Sequence, residues 1–184
     1  AHGIASVDAN ATIDNSGIIT TNGTGADGIY SSGLNATITN SGTITTSGND
    51  AAGIMVSGSG ATISNLGTIT TGTGFFGIRM GGGSVATLVN AQGGNTPLTY
   101  SGALPATYNV VVRSLTNFGR LAVTNPSGTM TFGVDAASVL AANRYTDVLT
   151  GVAASTITNE ETEYTLGRVA WTLTAGSAAN SWDL

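Results

Sequence analysis

Short runs of this chain alternate apolar and polar positions, and turn-forming clusters separate the runs. One stretch reads Ala36-Thr37-Ile38-Thr39, then Thr43-Ile44-Thr45, then Gly53-Ile54-Met55-Val56. Side chains of a strand point alternately to its two faces, so Ala36 and Ile38 share one face while Thr37 and Thr39 share the other. Between the runs lie Asn40-Ser41-Gly42, Thr46-Ser47-Gly48-Asn49 and Ser57-Gly58-Ser59-Gly60, which supply corner chemistry. The pattern predicts three short strands and three corners.

This unit recurs every 25 residues: ATIDNSGIITT begins at Ala11, ATITNSGTITT at Ala36, ATISNLGTITT at Ala61 and a shortened ATLVN at Ala86. A repeat of that length marks a solenoid, because one unit cannot bury its apolar face alone and stacking supplies the core. The expected fold is all-β: a right-handed parallel β-helix of 25-residue coils, three strands per coil, over residues 1–90. Stacking would align Ala11, Ala36, Ala61 and Ala86 in one interior file and Ile13, Ile38, Ile63 and Leu88 in a second. Ile19, Ile44 and Ile69 would form a third file, and Ile4, Ile29, Ile54 and Ile78 a fourth. The last member comes one residue early, and Gly81-Gly82-Gly83-Ser84 restores the register. Asn15, Asn40, Asn65 and Asn90 fall in file at the end of the first strand, where side-chain amides can hydrogen-bond along the axis as a ladder. Gly17, Gly42 and Gly67 follow and are expected to give the corner a positive φ.

The periodicity stops near residue 90. Residues 91–108, with Gly93-Gly94-Asn95-Thr96-Pro97 and Pro105, read as a linker, and residues 109–184 as a β-rich C-terminal cap. Strands are expected at Tyr108–Arg113, Arg120–Thr124, Thr129–Val134, Tyr145–Gly151, Val169–Thr174 and Ser181–Leu184, with a short helical turn at Ser138–Asn143. A solenoid needs a terminal unit that stops pairing at its open edge, and this segment sits where one belongs.

The ATITNSGTITT blocks and the segments Asp27-Gly28-Ile29 and Ala52-Gly53-Ile54 resemble the passenger of a Gram-negative autotransporter. The stretch from Tyr108-Asn109-Val110-Val111-Val112 through Phe132-Gly133 to Trp182-Asp183-Leu184 resembles the C-terminal part of such passengers. That resemblance implies an extracellular location at the bacterial cell surface. It also implies that residues 109–184 cap the helix and aid its folding after export. The family's membrane barrel has no counterpart here, so the chain is expected to be the C-terminal end of a passenger.

Composition sharpens the function class. Charged residues make up 8% of the chain, against roughly 25% in an average domain. There is no lysine, so Thr, Ser, Asn and Gly provide the polar surface. A net charge of −5 argues against nucleic acid, whose phosphates demand a basic footprint. Without cysteine there are neither disulfides nor thiolate metal sites. No apolar run is long enough to span a membrane as a helix, so no membrane insertion by this segment is expected.

Chemistry-bearing constellations are sparse. Asp14, Asp27 and Asp50 align with Thr39, Ala52 and Gly25, so no two carboxylates share a file for acid–base work. Glu160, Glu161 and Glu163 read as a solvated loop, and His2, the single histidine, lies near the terminus. The chain is expected not to be an enzyme and to need no cofactor or metal. Phe75-Phe76 is expected to be half-buried, since large exposed apolar pairs are a liability. The outward Thr37, Thr39, Thr43, Thr45, Thr68 and Thr70 form a possible surface contact array. The leading expectation is a structural and adhesive rod segment that contacts cell-surface glycan or protein. The chain opens in mid-coil at Gly3-Ile4-Ala5, where preceding coils or another copy of itself would pair. A self-assembling fibre subunit is therefore the alternative, and an ice- or glycan-binding Thr-rich solenoid the third reading.

Overall fold

A computed structural model describes residues 1–184. The chain winds into a β-solenoid of about six turns with parallel stacked coils. β1 (Ile4–Ser6), β2 (Thr12–Asn15) and β3 (Ile18–Thr21) form the first coil, and β4 (Ile29–Ser31), β5 (Thr37–Asn40) and β6 (Thr43–Thr46) the second. β7 (Ile54–Val56), β8 (Ala61–Asn65) and β9 (Thr68–Thr71) form the third. Later coils have two strands each: β10 (Ile78–Met80) with β11 (Val85–Asn90), β12 (Leu98–Ala103) with β13 (Thr107–Val110), and β14 (Leu121–Ser127) with β15 (Thr131–Val134). β16 (Leu149–Thr150) follows, then the hairpin β17 (Glu163–Leu166) and β18 (Val169–Thr172), then β19 (Thr174–Ala175) and β20 (Ser181–Asp183).

Like stacks on like, as the repeat requires. The first sheet runs β1-β4-β7-β10-β12-β14-β16-β20-β19, the second β2-β5-β8-β11-β13-β15 and the third β3-β6-β9. Registers place Ile13, Ile38, Ile63 and Leu88 in one file and Ile4, Ile29, Ile54 and Ile78 in another, with Ile19, Ile44 and Ile69 in a third. All but Ile4 and Ile19, which sit on the first coil, are buried. The early arrival of Ile78 is absorbed as expected, since it pairs with Ile54.

Several expectations change. Val85, not Ala86, stands opposite Ala61, because a bulge between Val85 and Thr87 turns Ala86 out to solvent. Gly17, Gly42 and Gly67 do not adopt positive φ. Gly42 and Gly67 are needed for close approach: a β-carbon on Gly42 would collide with the Gly17 carbonyl, and one on Gly67 with that of Gly42, whereas one on Gly17 would meet open space. The left-handed corners lie elsewhere, at Asn10, Asn35 and Gly60 on one edge and at Gly25, Asp50 and Gly74 on the other. Asn, Asp and Gly tolerate that region best.

Residues 91–108, read as a linker, carry β12 and the first half of β13, both paired in parallel with the coils before and after. Parallel stacking then continues through β14, β15 and β16, and a parallel bridge of Ile157 to Met130 carries it past Thr150. The irregular sequence hid this because its interior side chains change type. The Ile78 file continues as Tyr100 and Val123, and the Leu88 file as Tyr108 and Phe132. The third sheet ends at β9, and aromatic side chains fill the interior beyond it. Tyr108 meets Phe132 edge-on at 5.6 Å, and Phe118 meets Tyr145 at 5.3 Å. Ser138–Asn143 is not helical; Ser138 Oγ instead accepts the Val112 N–H, holding this segment against β13's end. Of the expected acidic loop, Glu160 and Glu161 lie in a turn, while Glu163 opens β17. Phe75 and Phe76 are half-buried as expected.

Candidate functional site

Three features are candidates for function: the outward threonines, the buried amide ladder with its ends, and the segment that follows β16. The threonine array is built as the repeat implies. In the third sheet Thr43 and Thr45 stand over Thr68 and Thr70, with Thr20 extending one row and the exposed Ile18 interrupting the other. The second sheet carries a longer row than the sequence repeat discloses. Thr12, Thr37, Thr62, Thr87, Thr107 and Thr131 stand in register on consecutive strands. At about 4.8 Å per strand this file of hydroxyls spans about 24 Å. Thr131 Oγ1 then hydrogen-bonds Thr158 Oγ1 at 2.8 Å, prolonging it by one more residue. The neighbouring file, Asp14, Thr39, Ser64, Val89, Asn109 and Gly133, loses its hydroxyls after Ser64. Thr107 and Thr131 were missed because no ATIxN block surrounds them.

The asparagine ladder is continuous. Asn15 Nδ2 donates to Asn40 Oδ1 and Asn40 Nδ2 to Asn65 Oδ1, both at 2.8 Å, and Asn65 Nδ2 donates to Asn90 Oδ1 at 3.2 Å. All four side chains are buried, so the amides satisfy one another where water is excluded. Asn90 closes the ladder by donating to the carbonyls of Gln92 and Arg120 and accepting the Gln92 N–H. The next two positions of that file are Val110 and Val134. Beside it the buried Tyr108 hydroxyl lies near Asn90 without a hydrogen bond of normal geometry. Burial pushes its phenol pKa up, the Asn90 amide acting weakly the other way.

Gln92, the chain's single glutamine, joins this network and was not singled out from sequence. Its Oε1 accepts from Asn65 Nδ2 at 3.1 Å and from the Ile69 N–H at 2.7 Å, while its Nε2 donates to the Ile69 carbonyl at 3.0 Å. An isolated glutamine after an Asn-Ala pair is the one signal that could have flagged it.

The ionisable groups are mostly engaged in holding coils together. Asp27, buried, accepts the Ala52 N–H at 2.7 Å one coil on, and its Oδ2 lies 3.2 Å from His2 Nδ1. His2 also stacks on Tyr30 at 4.9 Å, so the histidine serves as a coil-to-coil contact. Asp50 pairs with Arg79, and Asp147 with Arg120 at 3.0 Å. Asp183 is buried and takes both the Asp147 N–H and the Arg144 guanidinium at 2.7 Å. An apolar groove of about 370 Å³ lies between Leu140–Tyr145 and β18, floored by Trp171 and Leu184. Compared with protein-family models, with curated proteins and with solved structures, the chain matches none.

Proposed function

We propose that this chain is a non-enzymatic rod segment of an exported bacterial surface protein of the autotransporter passenger kind. Its outward Thr, Ser and Asn rows make contact with a neighbouring cell, through surface glycan or protein. Residues after Thr150 seal the end of the stack and help the coils fold once outside the cell. The observation that carries this reading is the commitment of each file of the coil. Inward positions are spent on Ile, Asn and aromatic stacks, and the acidic groups Asp27, Asp50, Asp147 and Asp183 on structural bonds. What is left facing outwards is a regular, weakly charged, hydroxyl-rich surface.

The test places the chain ahead of an outer-membrane β-barrel translocator in a Gram-negative host. Protease-resistant material at the cell surface is expected for the full chain, and its loss when residues 151–184 are deleted. Equal surface folding of both versions would sink the role given to the sealed end. Beads coated with the purified chain should retain glycan-bearing cells, and no retention above bare beads would remove the adhesive part.

A fibre subunit is the second reading. It is favoured by the parallel, in-register stacking of like coils, a geometry that further copies could extend. Filaments in negative-stain micrographs of the purified chain support it, and discrete short rods oppose it.

A further inference from the structure

The three sheets of the solenoid end on different coils, and each ending leaves a strand whose outward N–H and C=O groups would pair with another strand. The first sheet is closed by backbone: β20 runs antiparallel to β16, and β19 covers β20. In the other two a side-chain amide meets the last strand, in the second sheet beside a short backbone bridge.

In the third sheet β9 is last. Its Thr68 and Gly72 N–H groups donate back to Gly42 and Thr46, so Ile69 faces forward, where the next coil would lie. One coil earlier Ile44 occupies the same position and pairs with β9 itself. At Ile69 the Gln92 amide takes that place, accepting the N–H at 2.7 Å and donating to the C=O at 3.0 Å. In the second sheet β15 is last. Its Thr131 and Asp135 N–H groups donate back to Ala106 and Val110, and Phe132 faces forward. Residues 156–158 pair with Met130 by backbone, and then Asn159 completes the row. Asn159 Oδ1 accepts the Phe132 N–H at 2.9 Å, and Nδ2 donates to the Phe132 C=O at 2.8 Å. A carboxamide carries one acceptor and one donor in a plane, the same pair that the two peptide groups flanking one residue of an added parallel strand would present. Both amides are buried.

We propose that Gln92 and Asn159 are matched edge plugs. Each fills the site of a missing strand, and removing either opens a sheet edge to a strand from a second copy of this chain. The inference rests on the sheet endings alone and holds whether or not the chain is a surface rod. Two unrelated positions have converged on the same two-bond contact with the forward-facing residue of a last strand. Capping by a side chain satisfies the backbone without presenting a new edge beyond it, which a further strand would do.

The test uses the full 184-residue chain with Gln92→Ala, Asn159→Ala and the control Ile63→Val, which loosens the stack away from any edge. Amide exchange followed by NMR should speed up roughly tenfold or more at Ile69 in the first variant and at Phe132 in the second, as lost hydrogen bonds permit. Light scattering should show mass rising with concentration in both variants relative to wild type, while Ile63→Val matches wild type. Gln92→Asn and Asn159→Gln keep the amide but misplace it by one methylene. They should move both readings the same way, and they serve where an alanine variant does not fold. Folded variants whose Ile69 and Phe132 amides stay protected overturn the plug assignment. Faster exchange with no gain in mass overturns the barrier to self-association.

Discussion

The asparagine ladder makes a quantitative prediction that separates a cooperative network from independent contacts. Asn40→Val removes the acceptor of Asn15 Nδ2 and the donor to Asn65 Oδ1, leaving two buried amide groups unpaired. Each such group costs about 1–3 kcal/mol. The single substitution is therefore worth about 2–6 kcal/mol, a large part of a net stability of about 5–15 kcal/mol. Replacing Asn15, Asn40 and Asn65 together by Val removes every partner at once. What remains is still satisfied: Asn90 Oδ1 keeps the Gln92 N–H at 3.0 Å, and Gln92 Oε1 keeps the Ile69 N–H at 2.7 Å. Valine is close in size to asparagine, favours strands, and already occupies this file at Val110 and Val134. The triple variant should thus cost about 2 kcal/mol or less and be more stable than Asn40→Val alone, since removing both partners is far cheaper than orphaning one. Urea unfolding followed by far-UV circular dichroism and by Trp171 and Trp182 fluorescence measures both. A triple variant that loses about three times the single-variant free energy would refute the reasoning, because additivity means that the amides are not coupled.

Other predictions follow from the packing. Gly53→Ala places a methyl against Ile69 Cγ2 and the Gly77 carbonyl and should cost about 1–3 kcal/mol or prevent folding, seen as a drop in the thermal midpoint. Trp182→Ala empties a buried site and removes the indole N–H donated to the Val152 carbonyl at 2.8 Å. It should cost about 3–5 kcal/mol in denaturant titrations. Burial raises the phenol pKa of Tyr100 and Tyr108, so above about pH 10 the unfolded chain releases protons that the folded chain retains. Stability is then untouched below that pH and falls above it, by about 1.4 kcal/mol per pH unit for each tyrosine. The double variant Tyr100→Phe and Tyr108→Phe should flatten this decline, and an unchanged alkaline limb of the unfolding curve would count against it. Tyr108→Phe alone should leave stability at neutral pH unchanged or raise it by up to about 1 kcal/mol, since its hydroxyl is buried without a bond of its own.

The chain's own periodicity determined the early coils. Closely similar blocks placed 25 residues apart can stack only in one register, because a one-residue slip would turn Ile38 and Ile63 out to solvent. Hence the isoleucine files, the asparagine ladder and the outward Thr43, Thr45, Thr68 and Thr70 were legible in the repeat itself. The continuation through β12–β16 was not. Parallel pairing needs only backbone groups and some apolar side chain pointing inwards, so Tyr100, Tyr108 and Phe132 replace Ile with no repeat left to read. The threonine row was half legible for the same reason, Thr107 and Thr131 being outward only by virtue of that register. Sequence also could not locate the ends of the sheets. Whether Gln92 and Asn159 are solvated amides or substitutes for a strand depends on which backbone groups the last coil leaves unpaired, and that accounting exists only once the coils are stacked. Local pattern dictated how one coil is made; tertiary structure decided where the coils stop, because an edge is a property of the stack and of no single residue.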